Sequence, residues 1–66
     1  MLKKVIILEH IKQGAYGKVW WATMYTDGQQ VSGYCEWFYT KKEAIAQAQL
    51  WRKVKGLDYH ILEDLT

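Results

Sequence analysis

The sequence predicts an α+β domain: a three- to four-stranded antiparallel sheet with one helix packed on one face, in the chain order β-β-β-α-β. Two features lead there. A pair of runs rich in β-branched and aromatic residues flanks Asp27-Gly28, and Thr40-Lys41-Lys42-Glu43 opens an alanine- and tryptophan-bearing stretch that ends at Gly56. A chain of 66 residues is expected to form a single small domain over residues 1–66, near the size at which folding buries only about 60% of the unfolded surface.

The first strand is expected over Leu2 to Lys12. Val5-Ile6-Ile7 lacks polar alternation, which suits a strand that lies centrally or is covered on both sides. Gln13 to Gly17 is turn material. Lys18 to Thr26 forms the second strand and Val31 to Tyr39 the third. Asp-Gly between them suits a two-residue type I′ turn, because both central residues need positive φ.

Counting outward from such a turn pairs Thr26 with Gln29 and Met24 with Val31. The same count sets Ala22, Trp20 and Lys18 opposite Gly33, Cys35 and Trp37, and this face is read as the core. The opposite face carries Val19, Trp21, Thr23 and Tyr25 across from Gln30, Ser32, Tyr34 and Glu36, with Phe38 beyond. One bulge would exchange the faces along part of a strand.

Thr40 to Glu43 is a capping box, in which the Thr hydroxyl accepts from the Glu43 amide and the carboxylate returns to the Thr40 amide, so a helix starts at Lys41. Ala44, Ala48 and Trp51, flanked by Ile45, Leu50 and Val54, form the stripe that covers the sheet. Gly56 caps its end, and Arg52, Lys53 and Lys55 suit the negative pole of the helix dipole. Leu57 to Glu63 is the last strand.

Composition excludes several chemistries. Cys35 is the only cysteine, so no internal disulfide, cysteine-based zinc site or Cys-x-x-Cys pair is available, and a soluble protein of the reducing cytoplasm is expected. The apolar run after Lys3 and Lys4 is too short for a signal peptide or a membrane span. Gly14-Ala15-Tyr16-Gly17-Lys18-Val19 resembles the second half of a protein-kinase glycine-rich loop, but Lys12 stands where the first glycine belongs, and these glycines are assigned to the turn. Spacing brings neither His10 nor His60 to Cys35. No catalytic residue, metal site or cofactor is expected.

What remains is binding. Ten aromatic residues in so short a chain (four Trp, five Tyr and one Phe) exceed what one sheet face can hold, at roughly 150 to 250 Å² buried by each. Trp21, Tyr25 and Tyr34 on the outer face can stack on bases or fill pockets of a protein partner, or else pack at the rim of the core. Lys41 and Lys42 occupy the positive end of the helix, a plausible phosphate spot, although solvated lysines are tolerated there. A net charge of +2 permits an anionic partner without demanding one.

Trp20-Trp21-Ala22, the Asp27-Gly28 turn and Phe38 to Ala44 resemble the arm-type DNA-binding domain at the N-terminus of phage and transposon integrases. That resemblance implies a three-stranded sheet, backed by one helix, that enters the major groove, with Trp21, Thr23, Tyr25, Gln30, Ser32 and Tyr34 at positions that touch bases. The chain is also similar to an uncharacterised group of small bacterial domains that pair a Trp-bearing hairpin with a Thr-x-x-Glu-Ala-Ile helix start, here Thr40 to Ile45, and a strand after a helix-ending glycine. The expected function is therefore a non-enzymatic module that contacts DNA or RNA through the aromatic and polar sheet face, with Lys18, Lys41 and Lys42 neutralising phosphates. The alternative is a protein-interaction module, of the phage accessory or inhibitor kind or a homodimer, that uses the same face or an exposed edge strand.

Overall fold

The computed structural model describes residues 3–63. Strands β1 (Lys4–Lys12), β2 (Lys18–Thr26) and β3 (Gln29–Phe38) are followed by helix α1 (Lys41–Lys55) and strand β4 (His60–Glu63), with one 3-10 turn at Gly14–Tyr16 between β1 and β2. The fold is α+β. Its four strands lie in the order β3-β2-β1-β4, so β1 is central, as its unbroken apolar run requires. Residues 1 and 2 of the first expected strand fall outside the described residues.

The sheet is mixed rather than wholly antiparallel: β1 and β2 pair antiparallel, as do β2 and β3, but β4 runs parallel to β1. The helix is the reason. Its 15 residues span about 22 Å at 1.5 Å per residue and return the chain along the sheet, so the next strand must run in the direction of β3, which is also the direction of β1. The last strand is short, beginning at His60, because Tyr59 turns inward first: it is buried, and its hydroxyl bonds the Thr26 hydroxyl at 2.8 Å.

The hairpin turn is as expected. Asp27 and Gly28 both have positive φ (54° and 80°), and Thr26 faces Gln29 with Tyr25 facing Gln30. Asp27 also ties the turn to the start of β1, its amide donating to the Lys3 carbonyl at 2.9 Å while its carboxylate accepts from the Lys3 amide at 3.1 Å.

Beyond Gln30 the register changes. Thr23 pairs with Cys35, Ala22 with Glu36, Trp21 with Trp37 and Trp20 with Phe38, so Met24 alone stands against the four residues Val31 to Tyr34. An odd excess of three residues inverts the pleat of one strand. Gly33, at φ +85°, sits inside the bulge. The expected partners for Cys35, Trp37, Tyr34 and Phe38 are thereby corrected: Cys35 and Trp37 leave the helix side, and Tyr34 and Phe38 join it.

The core lies between α1 and this inner sheet face. Ile6, Leu8, Ala22 and Met24 pack against Ala44, Ala48, Trp51 and Tyr59, with Trp20, Val31, Tyr34, Phe38, Ile45 and Ile61 around them. Full burial of Ile6, Leu8 and Met24 contributes roughly 1.5 to 3 kcal/mol for each side chain. Small Ala44 and Ala48 let the helix approach closely, and the Trp51 ring fills the space beyond them, edge-on to Tyr34 at 5.4 Å. The buried stripe is narrower than expected, since Leu50 and Val54 are exposed. At the helix start the Thr40 hydroxyl accepts from the Glu43 amide at 3.2 Å; the return contact runs from that hydroxyl to the Glu43 carboxylate, 2.9 Å, rather than from the Thr40 amide.

Candidate functional site

Because side chains alternate along a strand, the odd-numbered residues of β1 and β2 project from the face that α1 leaves open. These are Val5, Ile7, Glu9 and Ile11 on β1, and Val19, Trp21, Thr23 and Tyr25 on β2. The pairings add Gln30, Cys35 and Trp37 from β3, and His60 and Leu62 from β4. Most are apolar or aromatic, with Glu9, Thr23, Gln30 and His60 the polar ones. A sheet face turned to water normally alternates to polar residues.

One corner of this face is built by three rings. Tyr16, in the turn between β1 and β2, lies 5.4 Å from Trp37 and 6.2 Å from Tyr39, and Trp37 meets Tyr39 at 5.2 Å with ring planes 89° apart. Tyr16 must reach across β2 to make these contacts. Val19, on the strand being crossed, is fully buried although it belongs to the face without a helix. The rings nevertheless keep much of their surface in water: Tyr16 is 62% and Tyr39 63% exposed. The two edge-to-face pairs, Tyr16–Tyr39 and Trp37–Tyr39, are worth about 0.5 to 1.5 kcal/mol each beyond burial, which biases the rings toward this arrangement before any partner arrives.

The residues singled out from sequence divide between the two sides. Trp21 and Tyr25 are half-buried on the open face. Thr23 shares it but is buried, with its hydroxyl 3.4 Å from the Cys35 sulfur. Gln30 is exposed opposite Tyr25, and Ser32 is exposed within the bulged segment. Tyr34 lies on the other side, against Trp51. Lys18 is in phase with Trp20 on the helix side. Lys41 pairs with Glu63 at 2.7 Å and lies over the Trp20 ring at 5.7 Å, and Lys42 is exposed in the first helical turn. Trp21 and Tyr25 are thus separated by the sheet from Lys18 and Lys41, whereas Tyr34 shares the side of those lysines.

Sequence reasoning missed Glu9, Trp37, Tyr16 and Tyr39. Gly33 inside a strand was the available signal for Trp37, since an internal glycine often marks a bulge. A tyrosine framed by Gly14 and Gly17 was the signal for Tyr16.

Among the described residues no lysine or arginine projects from the strands on the open face, and Glu9 is the one strand carboxylate there. The pairs that hold charge lie elsewhere. Lys4 donates to Asp58 at 3.1 Å, and this hydrogen bond holds the Asp58 carboxyl below its usual range against the opposing effect of desolvation, with a backbone hydrogen bond and the Lys4 charge adding to the lowering. His10 lies flat on Trp20, with centroids 4.5 Å and planes 3° apart, on the helix side. Among the described residues no group of three His, Cys, Asp or Glu side chains could hold a metal ion, and no helix is long and apolar enough to cross a membrane. No family model, curated protein or solved structure matches the chain.

Proposed function

We propose that the chain is a non-enzymatic protein-interaction module that docks a partner on the helix-free face of its sheet. The observation that carries this reading is the composition of that face: Trp21, Tyr25 and Trp37, with Ile7, Ile11 and Leu62, and no lysine or arginine on it among the described strand residues. Protein interfaces are centred on aromatic and aliphatic anchors of this kind, and a few such anchors carry most of the affinity. Trp37, already packed against Tyr16 and Tyr39, has less side-chain freedom to lose on binding.

The nucleic-acid reading draws on the same rings, which can stack on bases, and on the resemblance to the integrase arm-type domain. Phosphate recognition needs cations beside the stacking platform. Here Lys18 and Lys41 belong to the opposite side, Lys41 is engaged by Glu63, and Glu9 repels phosphate from the open face.

Titration of intrinsic tryptophan fluorescence with single- and double-stranded oligonucleotides, at low salt and at about 0.5 M salt, separates the two readings. The protein reading expects no saturable change at micromolar protein. Saturating quenching that fades as salt rises would replace it with the nucleic-acid reading.

A further inference from the structure

Resting on the docking surface just described, we infer that the partner segment is apolar but presents one arginine or lysine side chain, which Glu9 and the neighbouring indoles receive. Glu9, Trp21 and Trp37 form a single rung across the sheet: Glu9 is the direct partner of Trp21, and Trp21 of Trp37. Directly opposed residues in antiparallel strands bring their Cβ atoms to about 4.5 to 5.5 Å, so the three side chains stand shoulder to shoulder on one face. Tyr16 and Tyr39 pack against Trp37 on the side of the rung nearer the β1–β2 turn.

This is cation-recognition chemistry without a cation. An indole face is electron-rich and attracts ammonium and guanidinium groups. Within the chain, three lysines already exploit that attraction: Lys4 over Tyr59, Lys41 over Trp20 and Lys55 over Tyr34, at 5.7, 5.7 and 5.3 Å. All three rings belong to the helix-side core. The rings of the open face have no such partner among the described residues, and neither ion pair found there involves Glu9. Glu9 is half-buried on the central strand, flanked along β1 by Ile7 and Ile11. A partner that covered it with purely apolar atoms would strand a desolvated carboxylate, whereas a cation would pair it. Arginine fits better than lysine, because its plane stacks on an indole while its fork meets the carboxylate.

A second copy of this chain fits less well. A two-fold dimer centred on the open face would turn one Glu9 toward the other in a dry interface, where like charges oppose association.

The test selects binders from a displayed library of random dodecapeptides on the full-length protein. Their affinities are then measured for the wild type and for Glu9→Gln, Ile11→Lys, Trp21→Phe and Trp37→Phe, with circular dichroism confirming that each variant is folded. The expected peptides carry one Arg or Lys among apolar residues and bind Glu9→Gln about tenfold more weakly, which corresponds to about 1.4 kcal/mol. Replacing the peptide cation by norleucine should cost a similar factor on wild type and almost nothing on Glu9→Gln. Ile11→Lys sets an ammonium beside Glu9 from within the chain and should weaken the same peptides. Peptides that depend on Trp21 and Trp37 but lack a cation, or that bind Glu9→Gln unchanged, overturn the cation inference and leave the docking face standing. Selected peptides indifferent to both tryptophan changes, or a selection that yields no binders, overturn both.

Discussion

Gly33→Ala tests the bulge that sets which aromatic residues face water. Gly33 has φ +85°, and a Cβ added there meets no atom within 4 Å, so the cost is conformational and not steric crowding against neighbours. Holding an L-residue in the left-handed region costs roughly 1 to 2 kcal/mol. For a domain of this size each kcal/mol lowers Tm by about 4 to 8 °C, giving a fall of roughly 4 to 16 °C, measurable by circular dichroism and tryptophan fluorescence. Gly33→Asn should lose less, because Asn tolerates positive φ. The unbulged hairpin makes the opposite prediction: Gly33 would sit in extended backbone across from Ala22, where alanine is better than glycine by roughly 0.5 to 1 kcal/mol. A Gly33→Ala protein as stable as wild type, or more stable, refutes the bulge and returns Trp37 to the core side.

Thr40→Ala removes the hydroxyl that accepts from the Glu43 amide and should cost about 1 kcal/mol in urea unfolding. Trp51→Ala, which empties the space between α1 and Tyr34, should cost about 3 to 5 kcal/mol in urea unfolding. The Asp58 carboxyl is held below its usual range chiefly by the Lys4 hydrogen bond. A depressed native pKa means that the pair's contribution is complete above the unfolded-state pKa and disappears as pH falls through the native one. Lys4→Met should therefore flatten that acid limb by lowering stability slightly at pH 6 to 8, where the pair's contribution is complete, and leave the acid end, where Asp58 is protonated, unchanged, as followed by thermal melts across pH.

Much of the fold was legible because local chemistry specified it. The Asp27-Gly28 turn needs positive φ, the Thr40 hydroxyl needs the Glu43 amide, and Val5-Ile6-Ile7 needs neighbours on both edges; each finds what it needs. The faces of β2 followed from its pleat. The outer half of β3 did not, because a strand's alternation survives a bulge while its meaning inverts. Gly33 hinted at an irregularity but not at three extra residues, and that odd number moved Tyr34 under the helix and Trp37 out to the open face. The parallel pairing of β4 was hidden for a different reason. It depends on where a full-length helix sets the chain down, and nothing local in His60–Glu63 encodes that.

The candidate site was half visible. Trp21 and Tyr25 could be placed by counting from the turn, whereas the role of Glu9 emerged only from its cross-strand pairing with Trp21.

The most direct test of the docking face is affinity capture from whole-cell extract at about 0.5 M salt, comparing wild type with Trp37→Ala and with a Lys18→Ala, Lys41→Ala, Lys42→Ala triple variant, each verified as folded. A protein retained by wild type and by the triple variant but lost with Trp37→Ala is the predicted result. Retention by Trp37→Ala with loss on the triple variant, or capture of nothing by wild type, would contradict it.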